Sequence, residues 1–295
     1  VAKSAGELIS GGTFSGSLGQ NVLDSLTEGH DVRGSWHFDE ASGISVLDHS
    51  GSSTAHDMTL VNDPSRTASA VGALGSEATI ATEFEAGFGQ YGTVADHADL
   101  DTGDTFTFIA LIKPDDLSTN RVLVRKGSGS FEVEILTTGQ IRLNKAATAN
   151  IVATTNAGIV SGNWYLIVVT KTGATVAIYV NGVAATLGAL TNNTIVNTTD
   201  ALEIGRNAAD PTLDFDGVLS RVAVLGEALS ATDVLALQTG RTLYLWDNPA
   251  ADGWDVAGAL TVTLAKYSPA TGAAYLPEIA VSAVADGTYR GIVQT

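Results

Sequence analysis

The chain has 295 residues, of which 44% are hydrophobic and only 16% charged, with 32 glycines, no cysteine and a formal net charge of −17. Such a length admits one large all-β domain plus a smaller unit, and the glycine-rich, charge-poor composition suits many short strands joined by tight turns and excludes a disordered chain. The acidic excess repels phosphate backbones and anionic headgroups, which removes nucleic acid and membrane surfaces as partners, and the lack of cysteine removes disulfides, Cys-zinc sites and thiol nucleophiles.

Residues 1–30 are rich in Gly, Ser and Leu, and Gly11, Gly12 and Gly16 interrupt any helical or strand period, so they read as an N-terminal extension. The first six residues carry no apolar signal core, and the longest apolar run, Trp164 to Val169, is far too short to span a bilayer. From residue 31 to 240 the pattern is strand, turn, strand. Short β-branched or aromatic runs stand at Thr105 to Ile112, Arg121 to Arg125, Phe131 to Leu136, Ile141 to Asn144, Trp164 to Thr170, Thr175 to Val180 and Leu219 to Leu225. Thr137-Thr138-Gly139-Gln140 and Lys171-Thr172-Gly173-Ala174 each contain a glycine suited to a hairpin, which predicts two antiparallel pairs. Phe131, Val133 and Ile135 alternate with Glu132 and Glu134, the period of a strand with one buried face; Trp164, Leu166 and Val168 form the expected core face of another. A helix is expected from Ser230 to Gln238, with Ser230 as cap, Asp233 three residues on and Gly240 as stop.

Residues 241–295 form a second β-rich segment, with strands expected at Ala259 to Tyr267, Glu278 to Ala283 and Thr288 to Val293 and a turn at Asp286-Gly287. A unit of that size buries little surface by itself, so it is expected to lean on the sandwich or on sister subunits.

Several phrases resemble the laminin-G-like, concanavalin-A-like lectin family over residues 31–240. They are, in order, Trp36-His37-Phe38-Asp39-Glu40, Asp48-His49-Ser50-Gly51, Tyr91-Gly92-Thr93-Val94, Phe106 to Pro114, Asn163-Trp164-Tyr165, Ile178-Tyr179-Val180-Asn181-Gly182, Leu202-Glu203-Ile204-Gly205-Arg206 and Phe215-Asp216-Gly217. The resemblance implies an all-β jelly-roll sandwich of two antiparallel sheets, with a role in binding rather than catalysis. It also implies a structural Ca²⁺ tying the first strand to one near the end of the sandwich, for which Asp39 and Asp216 are the candidate metal ligands. Ser220-Arg221 stands where a further acidic residue usually follows. Glycoside hydrolases on the same fold carry acids at alternate positions of one strand, as at Glu132 and Glu134, yet their further acid is missing here. The two glutamates are therefore expected on a solvent-facing surface, with no catalytic residue.

Asp96, Asp99, Asp101 and Asp104 read as a solvated, Asp-rich turn rather than a calcium loop. Of the five scattered histidines, His49 and His56 approach each other in sequence without a third ligand, so zinc is not expected. Tyr91, Tyr165, Tyr179 and Trp164 fall at core landmarks of the family, leaving Trp246 and Trp254, outside the resemblance, as the ligand-binding candidates for a glycan. The Val284 to Gly291 phrase is similar to strand ends of bacteriophage virion surface modules. The expectation is a non-enzymatic, lectin-like structural or adhesion protein on a virion surface, homo-oligomeric or bound to virion structural proteins through its terminal segments. The alternative is a secreted or cell-surface glycan-binding module, and the more distant one a polysaccharide hydrolase.

Overall fold

The computed structural model describes residues 30–52, 54–68, 80–191 and 194–239, together with two short strands farther along. The chain divides into two units, one of which is residues 17–240. Within it, one sheet runs in the order β14 (Val183–Ala184), β13 (Thr175–Val180), β12 (Tyr165–Thr172), β7 (Thr105–Pro114), β16 (Gly217–Leu225), β5 (Ile80–Phe84) and β4 (Ser65–Ala68), with β1 (Val32–Trp36) also paired to β16. The second sheet runs β11 (Ala149–Ala153), β10 (Ile141–Lys145), β9 (Phe131–Ile135), β8 (Arg121–Lys126), β15 (Leu202–Ile204), β6 (Tyr91–Val94), β3 (Met58–Val61) and β2 (Ser45–Val46). All the pairings are antiparallel, and the two sheets form a concanavalin-A-like sandwich.

The expected strands are found with ends moved by a residue or two, and both hairpins form. In the first, Gly139 N–H donates to Leu136 and Gly139 lies at φ 75°. Between β13 and β14 the Asn181-Gly182 pair takes φ 51° and 75°, the doubly left-handed turn that matches the twist of a two-residue hairpin.

Alternation along the strands builds the main core. Phe131, Val133 and Ile135 point inward with Ile141 and Leu143 from β10, and Phe106 of β7 stacks on Phe131 with centroids 4.7 Å apart. Trp36 and Phe38 are fully buried in the same core, and Trp36 Nε1 donates to the His56 carbonyl at 2.8 Å.

The first sheet is buried on both faces. Tyr165, Ile167 and Val169 of β12 face the main core, whereas Leu166 and Val168 face a second cluster with Val32, Ile109, Ala223 and Leu225. Of the expected core face, Leu166 and Val168 are buried as expected, in the cluster beneath the helix, whereas Trp164 precedes the strand and is only half-buried. That helix, α1 (Ala231–Thr239), lays Val234 and Leu237 on this second cluster. Its start is a reciprocal cap, with Asp233 N–H donating to Ser230 Oγ and Ser230 N–H donating back to Asp233 Oδ2.

In the other unit, β17 (Leu260–Val262) pairs antiparallel with β18 (Ile279–Val281), in keeping with the first two C-terminal strands expected. The N-terminal extension, the third C-terminal strand, Trp246 and Trp254 lie outside the described residues.

Candidate functional site

The second sheet carries its polar side chains on the face turned away from the core, and the register aligns them. Asn150 lies opposite Asn144, Asn144 opposite Glu132, Glu132 opposite Arg125, Arg125 opposite Glu203, Glu203 opposite Thr93, and Thr93 opposite Thr59. One polar row thus crosses seven strands. Beside it, Arg142 lies opposite Glu134.

The middle of the row is closed. Glu132 and Glu134 are 6% and 1% exposed, so the expectation that they face solvent is corrected. Their burial is tolerable because their oxygens are occupied. Asn144 Nδ2 donates to Glu132 Oε1 at 2.9 Å and to Glu134 Oε1, and Arg142 Nε donates to Glu134 Oε1 at 2.6 Å. Arg125 stands 3.5 Å from Glu132 Oε2 and donates to Asn207 Oδ1, while Asn207 N–H donates to Asp214 Oδ1 at 3.0 Å. Burial pushes the Glu132 carboxyl up, against the opposing Asn144 hydrogen bond, and the charge of Glu134 adds to the rise. Burial likewise raises Glu203 and Asp214 despite nearby arginines.

Toward β6 and β3 the row opens. Glu203, Thr93, Tyr91 and Arg206 are half-buried and Thr59 is exposed. The Arg206 guanidinium lies 4.1 Å from the Tyr91 ring centroid and donates to Glu203 Oε1 at 3.2 Å, which fixes a planar cation over an aromatic face beside hydroxyl and carboxylate groups. Tyr91 is thus a half-exposed candidate that its landmark position assigned to the core.

The acidic turn is also corrected. Three of its four carboxylates are counter-charges for buried cations: Asp96 and Asp101 lie 2.7 and 3.2 Å from the Lys126 ammonium, and Asp104 pairs with Lys171, while Asp99 lies against His56 and His97. Both lysines are fully buried.

The two aspartates proposed as calcium ligands have different partners. Asp39 gathers with His37 and His49, whose rings stack at 4.2 Å, and the buried Arg221 guanidinium is 3.9 Å from its carboxylate. Asp216 accepts from Ala86 N–H at 3.2 Å, and its charge helps burial raise the Asp115 carboxyl. Calcium requires several oxygens, so two imidazoles and an arginine around Asp39 do not fit that ion. Among the described residues, neither ligand-bearing cluster of three contains both aspartates.

Two antiparallel eight-stranded sheets in this order define a concanavalin-A-like β-sandwich domain. The chain belongs to the concanavalin A-like lectin/glucanases superfamily, whose laminin-G-type family model matches residues 86–235. Solved structures with the same fold include domain 4 of the extracellular arabinanase AbnA of Geobacillus stearothermophilus, in complex with arabinotriose. It has 14% identity and a TM-score of 0.54, over 71% of this chain and 98% of that one. Trypanosoma rangeli sialidase in complex with sialic acid matches at 14% identity and TM-score 0.52, over 71% of this chain and 33% of the sialidase. The binding domain of Paraclostridial mosquitocidal protein 1 matches at 15% identity and TM-score 0.51, over 72% of this chain and 52% of that domain. No curated protein sequence matches the chain. Among the described residues no helix is long and apolar enough to cross a membrane.

Proposed function

We propose that the sandwich is a non-catalytic glycan-binding module and that its ligand lies on the open end of the polar row, over Tyr91, Thr93, Glu203, Arg206 and Thr59. The supporting observation is the contrast along that row. Sugars offer hydroxyls to polar side chains and an apolar face to flat groups, and the open end supplies the first in Thr59, Thr93 and Glu203 and the second in the Arg206 guanidinium stacked on Tyr91. The closed end argues against catalysis. Both Glu132 and Glu134 reach one amide nitrogen, so their carboxyls are close enough for the roughly 5 Å pairing of a retaining glycosidase. Their side chains are nonetheless 8% and 2% exposed and hydrogen-bonded to neighbours, leaving a substrate no approach. The similar arabinanase domain, matched over nearly its whole length, is in complex with arabinotriose, which makes an oligosaccharide the first ligand class to test.

The test is a glycan array probed with the intact chain, followed by titration calorimetry on each hit. Arg206→Ala and Tyr91→Ala are expected to weaken a hit at least about tenfold, a loss of about 1.4 kcal/mol. Binding unaffected by either change moves the site elsewhere. Sugar release from the bound glycan that stops in Glu134→Gln makes the protein an enzyme instead. Attachment to a virion through the terminal segments is a proposal about setting, and it predicts that the intact chain co-purifies in stoichiometric particles.

A further inference from the structure

Four of the five histidines that look scattered in the sequence fall into two places, while His30 pairs with Glu227, and one of the two places has the makings of a metal centre. The register sets it up. Thr59 of β3 lies opposite Thr93 of β6, so the entry to β3 sits beside the exit from β6. His56, three residues before Thr59, therefore meets His97 and Asp99, which follow Thr93 on the other side. Their rings are 4.6 Å apart at 46°. Asp99 Oδ2 lies 3.2 Å from His56 Nε2 and 3.3 Å from His97 Nδ1.

Those two separations match the edge length of a coordination tetrahedron, and all three ligand atoms lie within 4.8 Å of one another. Zinc binds imidazole nitrogen and carboxylate oxygen at about 2.0–2.1 Å, which puts neighbouring ligand atoms about 3.3–3.4 Å apart. Two imidazoles and one carboxylate also form a donor set that suits a borderline divalent transition ion over Ca²⁺ or Mg²⁺, which prefer oxygen. The surroundings fit as well. The Asp48 carboxylate accepts from the N–H groups of Ser35, Ser50 and His56 at 2.9 to 3.0 Å, and Trp36 Nε1 holds the His56 carbonyl, so the His56 backbone is fixed on both sides. Ser52 Oγ donates to Asp99 Oδ2 at 3.4 Å, an outer contact of the kind that orients a ligating carboxylate. His56 is buried, while the side chains of His97 and Asp99 are 39% and 33% exposed, which leaves a path for an ion and a water ligand from solvent. His97 Nδ1 also accepts from Asp99 N–H at 3.1 Å, so binding through that nitrogen gives up one short-range turn contact.

We propose that His56, His97 and Asp99 bind a divalent transition ion of the Zn²⁺ class, cross-linking the loop before β3 to the turn after β6. The second cluster is the poorer host because the Arg221 guanidinium already stands beside its carboxylate.

The experiment uses tag-free, chelator-stripped whole protein, titrated with Zn²⁺ by calorimetry and with Co²⁺ by visible absorption. One ion per chain is expected, with the d–d spectrum of a low-coordinate Co²⁺ site and no competition from excess Ca²⁺ or Mg²⁺. His97→Gln and Asp99→Asn should each weaken Zn²⁺ by at least about a hundredfold, the upper end of what a change in the outer shell costs. His49→Gln, in the other cluster, should leave it unchanged. His97 is on the surface, so His97→Gln decides the matter should Asp99→Asn fail to fold. No Zn²⁺ binding by the native chain, binding insensitive to His97→Gln, or binding lost in His49→Gln instead overturns the assignment. In the first case the cluster is a hydrogen-bonded His-Asp-His group alone.

Discussion

Glu134→Gln distinguishes a structural polar row from a catalytic pair by the sign of its effect on stability. In the native sheet the Glu134 carboxylate accepts from Arg142 Nε at 2.6 Å and from Asn144 Nδ2, and its side chain is 2% exposed. A glutamine there keeps the shape and can hold its oxygen at the Oε1 position, where both donors still find an acceptor. The charge is lost, and each of the two bonds falls from charge-assisted to neutral, about 1–1.5 kcal/mol apiece. A hydrogen bond to a buried charged group contributes about 1.5–3 kcal/mol, and separating a fully buried ion pair costs about 3–5 kcal/mol. The Arg142 side chain keeps 23% exposure and can still be hydrated, so the lower range applies: about 2–3 kcal/mol. For a domain of this size that is a fall in Tm of about 4–12 °C. Residues held for catalysis are commonly a liability to the fold, and replacing them stabilises it. Urea titrations of native and Glu134→Gln protein with matched m-values measure the difference. A variant as stable as the native chain, or more stable, refutes the structural account of the row.

Two further outcomes follow from the sandwich. Burial, aided by the charges of Arg221 and His49, lowers His37 from 6.5 to about 3, so the native imidazole stays neutral while the unfolded one takes up a proton. The unfolded chain then binds more protons between those values, and His37 is expected to cost about 2 kcal/mol of stability on going from pH 7 to pH 5. Subtracting the melting curves of His37→Gln from those of the native chain isolates this slope, and parallel curves refute it. Gly217→Ala is expected to destabilise by at least about 2 kcal/mol, because φ is 144° and a Cβ there would lie 2.3 Å from the Lys113 carbonyl oxygen. Chemical denaturation that shows a loss under about 0.5 kcal/mol argues against that close approach.

Much of the fold is legible in the sequence because its signals are local. Alternation marks β9, the Ser230 and Asp233 pair marks the helix start, and Gly139 and Gly173 mark the two hairpins. The site is less legible because its partners come from register. Glu132 meets Arg125, Asn144 and Asn207 only after four segments align. With those partners absent from its neighbourhood in sequence, an acidic side chain on a strand reads as hydrated. The histidines pose the same difficulty. His97-x-Asp99 is a local hint, but His56 lies 41 residues earlier and joins them through the pairing of β3 with β6. The acidic turn misleads for the converse reason: the cations it neutralises, Lys126 and Lys171, lie on β8 and β12 and are buried there.

The pairing of β1 with β16 has a consequence for how the chain acquires its structure during synthesis. Val32 pairs with Leu225 and Trp36 with Val222, so a strand near the beginning of the described chain takes as its ladder partner one near its end, with only an isolated bridge from Trp36 to Asp48 on its other side. At about 5–20 residues per second, β1 waits on the order of ten to forty seconds for this strand partner. Meanwhile β7, whose neighbours are β12 and β16, has one edge unprotected until β16 arrives. Folding of this sheet is therefore slow and concluded late, with the closing strand and the helix that follows it completing the outer face together.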